Sequence, residues 1–203
     1  MRHAFFDPEN GLFSTLSLLV DVVGCSILWV FLCVPIVTIG PATAALYFTV
    51  VHRFRQGASD TFTAFFRSLW RERKQGCVCS LALAALAALF AFLYRWYALA
   101  ADTLGSVGQF AYSFFYGMLL LLIALFLWLF PLMGRFSFST GKLFSTAFRM
   151  LIVHLPTTLL LLLLTAAVYA AIVRLPILLF VLPSLWMLLL SLPLERAFGK
   201  HLP

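Results

Sequence analysis

Of the seven acidic residues in this 203-residue chain, one lies well inside an apolar run: Asp21, in LLVDVVGCSILWV. A carboxylate at such a depth costs about 2.5–3.5 kcal/mol on insertion scales, so it must be neutral or meet a donor. Its own helix offers little: Ser17 lies one turn below and Ser26 more than one turn above. Asp21 is therefore expected to face a bundle interior. There it could hold a proton, a cation or a sugar hydroxyl, or simply hydrogen-bond a neighbouring helix. A second polar group opens a later apolar run, where His154, Thr157 and Thr158 flank Pro156. The proline frees a carbonyl on the preceding turn, so these residues form a polar notch; a histidine at the headgroup boundary would look the same. Asp21, His154, Thr157 and Thr158 make up the candidate intramembrane polar site. A continuous polar path joining them would suit transport, whereas a closed bundle with an exposed apolar groove would suit a partner-binding role.

No other chemistry assembles. H-E-x-x-H, G-x-S-x-G and phosphate-cradling glycine motifs do not occur, so no nucleophile and base can be paired and no cofactor is implied. Cys25 and Cys33 sit within one apolar run and Cys77 and Cys79 open another. Cys-x-Cys on a helix points its sulfurs to nearly opposite faces, and no second pair stands at zinc spacing. The four read as thiols in apolar surroundings.

The elements that must position these residues are membrane helices. The chain is 64% hydrophobic and 10% charged, with a mean hydropathy of +1.05, against roughly 25% charged in soluble domains. The net charge of +7 does not imply nucleic acid, because the cations flank apolar runs as topology signals do. The expected fold is all-α and polytopic, a single domain with six transmembrane helices at about 12–34, 41–56, 77–96, 110–133, 151–173 and 177–194. The second is short. The first, with no small-residue cleavage site after it, reads as a retained span.

Between the first two spans, Pro35, Thr38, Gly40 and Pro41 form a helix-break motif, Val34-Pro35-Ile36-Val37-Thr38-Ile39-Gly40-Pro41. Pro35 stops the incoming helix and Pro41 suits the first turn of the next. The break is placed at the outer membrane boundary. Over 60–75, Phe62, Phe65, Phe66, Leu69 and Trp70 fall on one helical face, and Arg67, Arg71, Glu72, Arg73 and Lys74 fill the rest. That pattern predicts an interfacial amphipathic helix on the cytoplasmic side, with Arg67, Arg71, Arg73 and Lys74 contacting anionic lipid of the inner leaflet. Gly76 marks its end. The stretch from Gly134 to Met150 reads as a short connector, and Pro193 as the close of the last span. Six crossings from a cytoplasmic N-terminus leave only Arg95 and Arg174 outside, so both termini are expected in the cytoplasm.

The stretch LWVFLCVPIVTIGPATAALYFTVVHRF resembles the signature of the YesL-like family of bacterial integral membrane proteins. Leu28, Trp29, Pro35, Thr38, Gly40, Pro41, Ala42, Ala45, Leu46 and Tyr47 carry the match, supported by FFRSLWRERKQG and HLPTTLLLLL. Ser26 stands where many relatives have asparagine. The resemblance implies the bacterial cytoplasmic membrane, no established activity, and a genomic association with carbohydrate uptake. On that basis the chain is expected to be a non-enzymatic accessory or regulatory component, partnered by a sugar importer or sensor complex or by copies of itself. A small oligomeric transporter or channel using Asp21 is the second reading, and a lipid- or glycan-modifying enzyme the third.

Overall fold

The computed structural model describes residues 11–56, 60–100, 104–136 and 138–201. Helix α1 (Gly11–Cys33) ends at the break, where a single 3₁₀ turn (Ile36–Thr38) leads into α2 (Ile39–Gln56). Then come α3 (Thr61–Leu99), α4 (Ser106–Arg135), α5 (Thr140–Val153) and α6 (Leu155–Arg174). A 3₁₀ segment (Pro176–Phe180) precedes α7 (Leu182–His201). No strand occurs among the described residues. Among the described residues, three helices, α3, α4 and α6, are long and apolar enough to cross a membrane, and α1 adds the shorter apolar stretch Val20–Cys33. These are the proportions of an integral membrane protein.

The break forms as its residues dictate. Pro35 is extended (φ −78°, ψ 127°), as a residue that cannot continue a helix should be. The Thr38 amide and hydroxyl both donate to the Pro35 carbonyl, at 3.1 and 2.9 Å. Its hydroxyl also reaches the Leu32 carbonyl, covering an acceptor that the end of α1 leaves open. Pro41 falls in the first turn of α2.

The position of the break differs from expectation. The Gly40 amide donates to Ser80 Oγ at 2.8 Å, and Ser80 is near the midpoint of α3. At the other end of α2, His52 pairs with Asp60 at 3.5 Å. Helix α2 therefore runs antiparallel along the charged half of α3, and about 28 Å of α3 continues past the break. That distal length pairs instead with the first half of α4. Tyr94 packs on Tyr112 and Tyr116, and Phe115 on Phe90 and Tyr97, with ring centroids 5.7–6.3 Å apart.

Four further expectations are corrected. The segment 60–75 is not a separate interfacial helix, since it is the first part of one 39-residue helix that runs through Gly76. Glycine costs a helix about 1 kcal/mol relative to alanine, but here its missing Cβ is used: one built on it would sit 2.9 Å from Pro41 Cδ. The buried face also differs. Thr61, Ala64, Phe65, Ser68, Glu72, Gly76, Cys79, Ser80 and Leu83 face inward, while Phe62, Phe66 and Trp70 are exposed. Small and hydroxyl side chains permit close helix approach, so they take most of the interface, with Phe65 the one aromatic fully buried among them.

The stretch read as a connector contains α5, whose Leu143, Ala147, Met150 and Leu151 are buried at helical spacing; the next helix starts only after His154. Pro193 lies inside α7. The helix continues because Leu194, Ala197 and Phe198 beyond it are buried, and their packing offsets the lost backbone bond. The densest core, with Tyr47, Phe65, Trp128, Phe130, Leu132 and Phe198 almost fully enclosed, sits where α2 and the charged half of α3 meet the second half of α4, α5 and α7.

Candidate functional site

The α1–α2 hairpin is seated by backbone proximity. A Cβ on Gly40 would lie 2.2 Å from Ser80 Oγ and 2.3 Å from the Phe130 ring, and one on Gly134 would lie 2.6 Å from the Ala44 carbonyl oxygen. Gly40, Gly76 and Gly134 thus let α2, α3 and α4 approach more closely than any side chain allows. Ser80 serves twice, accepting from the Gly40 amide and donating to the Gly76 carbonyl at 2.8 Å.

Asp21 lies inside this seat. Its carboxylate meets Arg53 Nε from α2 at 2.7 Å, and the two side chains are only 12% and 16% exposed. The expected donor for Asp21 therefore exists, and it is a residue that the sequence offers only as a topology-setting cation. One signal could have found it. Asp21 and Arg53 each stand sixteen residues from Val37, so folding the hairpin at the break brings them level. Around the pair, Cys25, Thr49, Thr61 and Ser184 enclose a cavity of about 10 Å³. The Thr61 hydroxyl within that lining has no protein partner. The space holds at most about one water, too little for a sugar or a hydrated cation.

One turn along α1, Ser26 bonds to the Ser184 hydroxyl at 2.8 Å and to the Val22 carbonyl at 2.9 Å, and it accepts the Ser184 amide at 3.2 Å. Its hydroxyl also lies 3.3 Å from the Val181 carbonyl. A fully buried serine here ties the start of α7 to α1. Trp29 adds an indole donor to Thr43 Oγ1 at 3.2 Å, linking α1 to α2 just below the break.

The notch forms elsewhere. Thr158 Oγ1 accepts from Trp128 Nε1 at 3.0 Å and donates back to the His154 carbonyl at 3.1 Å. The His154 ring stacks on Trp128 at 6.1 Å, and Thr157 is half-buried. Thr158 and His154 thus pin α6 to α4. The Trp128–Thr158 contact joins α4 to α6, whereas the Asp21–Arg53 pair joins α1 to α2, so the polar residues group into two separate clasps. A third contact went unread in the sequence: Glu195 of α7 accepts the Tyr47 hydroxyl at 2.7 Å and pairs with Arg135.

Arg67, Arg71, Arg73 and Lys74 are all exposed. Arg73 lies over the Trp70 ring at 4.6 Å, and Arg71 pairs with the buried Glu72 at 2.7 Å. Cys25 and Cys79 are buried, Cys33 and Cys77 half-buried, and all four are free thiols. Among the described residues, no three His, Cys, Asp or Glu stand close enough together to hold a metal. Chemically the arrangement is a set of closed polar clasps between helices.

Residues 22–94, which include Asp21's neighbours, the break, Arg53 and most of α3, match the family described as "Protein of unknown function, DUF624". No curated protein matches the chain, and no solved structure does.

Proposed function

We propose that this chain is an accessory or regulatory membrane component that works by binding a partner membrane protein, and that it belongs with the YesL-like proteins of the bacterial cytoplasmic membrane. One observation carries the reading. The buried polar residues close on one another, Asp21 on Arg53 between α1 and α2, and Thr158 on Trp128 between α6 and α4. Two open clefts, of about 450 and 690 Å³, are lined almost entirely by apolar side chains and adjoin at Ile123 and Thr165, between α3, α4, α6 and α7. This is the closed bundle with an exposed apolar groove expected of a binding role. A sugar importer or its sensor is the partner class that the family resemblance suggests. Both termini face the cytoplasm in this reading, with Arg53, Arg67, Arg71, Arg73, Lys74, Arg135, Lys142 and Arg149 on that side.

The test is recovery of the full chain from native membranes in mild detergent, with identification of co-purifying proteins. An importer subunit or sensor kinase retained at constant stoichiometry is the expected result. Recovery of the chain alone, together with proton or sugar flux in liposomes that Asp21→Asn abolishes, would replace binding with transport.

A further inference from the structure

The geometry points to a binding site for a phosphate-bearing group between α2, α3 and α4, independent of the partner role. A cavity of about 310 Å³ is lined by Tyr47, Phe48, His52, Gly134, Arg135 and Phe136. Arg71 stands at its edge, with its guanidinium 5.5 Å from the Phe48 ring centroid and Nη2 donating to the Gly134 carbonyl at 3.3 Å. Arg135 lies 5.7 Å from the Phe136 ring, and the His52 imidazole stacks on Phe48 at 5.6 Å. Two guanidinium groups and an imidazole are thus laid on aromatic walls around one opening.

The charges are arranged front to back. Glu72, which pairs with Arg71, is 7% exposed, and Glu195, which pairs with Arg135, is 10% exposed. The two arginines are 47% and 40% exposed. Each carboxylate is held behind its arginine, while guanidinium surface remains on the open side. Asp60 approaches His52 at 3.5 Å and is the third acid near this region. A guanidinium carries five N–H donors in a fork, of which its carboxylate takes only some, so the rest can grip a phosphate. The aromatic faces hold the forks in place and limit the entropy lost on binding.

The volume lies at the low end of ligand cavities, about 300–1,000 Å³, which suits a phosphate with a small polar substituent. The cavity opens where the apolar run of α4 ends at Arg135. That is the depth of lipid headgroups, so the phosphodiester of an anionic phospholipid is the assigned occupant. A soluble organophosphate shares the recognition chemistry and is separated from it by the test.

Full-length protein in nonionic detergent is titrated with phosphatidylglycerol, phosphatidylcholine and glycerol phosphate, reading bound lipid by native mass spectrometry and thermal shift. Two charge-neutral variants, Arg71→Gln with Glu72→Gln and Arg135→Gln with Glu195→Gln, each remove a cation together with its buried counter-charge and so keep the fold. Arg149→Gln, exposed on α5 and outside the lining, is the control. Phosphatidylglycerol should bind at least tenfold more tightly than phosphatidylcholine, and each double variant should lose most of that preference while Arg149→Gln keeps it. Glycerol phosphate binding as tightly as the lipid, with the same variant pattern, would retain the phosphate site and assign it to a soluble ligand. Equal binding of both lipids with none of glycerol phosphate, or equal losses in all three variants, would overturn it.

Discussion

The two halves of α3 are held by different means. From Thr61 to about Leu83 the helix is enclosed by α1, α2 and α4, using glycine contacts, buried hydroxyls and hydrogen bonds from Gly40 to Ser80 and from Arg71 to Gly134. From there to Leu99 it meets mainly α4, through aromatic rings, and leaves Leu86, Leu89, Phe92, Trp96 and Leu99 exposed. In a bilayer, burying a leucine against protein gains little over burying it against lipid. What fixes one helix on another there is close approach and satisfied polar groups. The enclosed half has both, so positional specificity is concentrated around the break.

Labelling gives the largest, all-or-none test of this contrast. If the break meets α3 at mid-length, the hairpin tip lies within the hydrocarbon and the α3–α4 turn lies outside. Single cysteines in a cysteine-free background should then react with an impermeant thiol reagent in whole cells at Gly105 but not at Val37. Equal labelling at the two positions would show that the hairpin spans as far as α3 does.

The ion pair comes next. Asp21→Leu leaves Arg53 buried without its carboxylate and should destabilise the protein by roughly 3–5 kcal/mol. Adding Arg53→Met should restore most of that loss, since a well-packed apolar pair often matches a buried salt bridge. Detergent-resolved melting of the single and double variants measures the coupling. If the double variant is no better than Asp21→Leu alone, the residues act separately and the clasp is not a unit.

Smaller and more local is a glycine pair, one from each region. Gly40→Ala drives a methyl to within 2.3 Å of Ser80 and Phe130 and should cost roughly 1–3 kcal/mol as overpacking. Gly117 of α4 has nothing within 4 Å of its would-be Cβ, so Gly117→Ala should be neutral or gain up to about 1 kcal/mol of helix propensity. Equal effects at both positions would mean that the two halves are packed alike.

Much of this was legible in the residues. Pro35, Gly40 and Pro41 announce a helix end and a helix start because proline geometry is local. The inward-facing Asp21 follows from the cost of an unpaired carboxylate in hydrocarbon. Its partner was not legible, because an arginine after an apolar run looks the same whether it sets topology or closes a salt bridge. Gly76 was read as a stop because its local propensity says so, and only the tertiary contact with Pro41 explains an unbroken helix there. The α5 periodicity at Leu143, Ala147, Met150 and Leu151 was present but masked by interspersed Ser, Thr and Lys. Ser26 drew notice as a weak neighbour of Asp21 and as a departure from asparagine, and its bond to Ser184 joins residues 158 positions apart.

The unbroken course of α3 has a mechanical consequence. Its enclosed half is gripped on several sides, whereas its distal half projects about 28 Å from Ser80 with no proline to act as a joint. Such a rod transmits angle. A tilt of about 5° at the gripped end displaces Leu99 by about 2.4 Å, simply by the 1.5 Å rise of each intervening residue. Because α4 travels with it through the Tyr94, Tyr112 and Phe115 rings, whatever shifts the charged end moves the far rim as one lever.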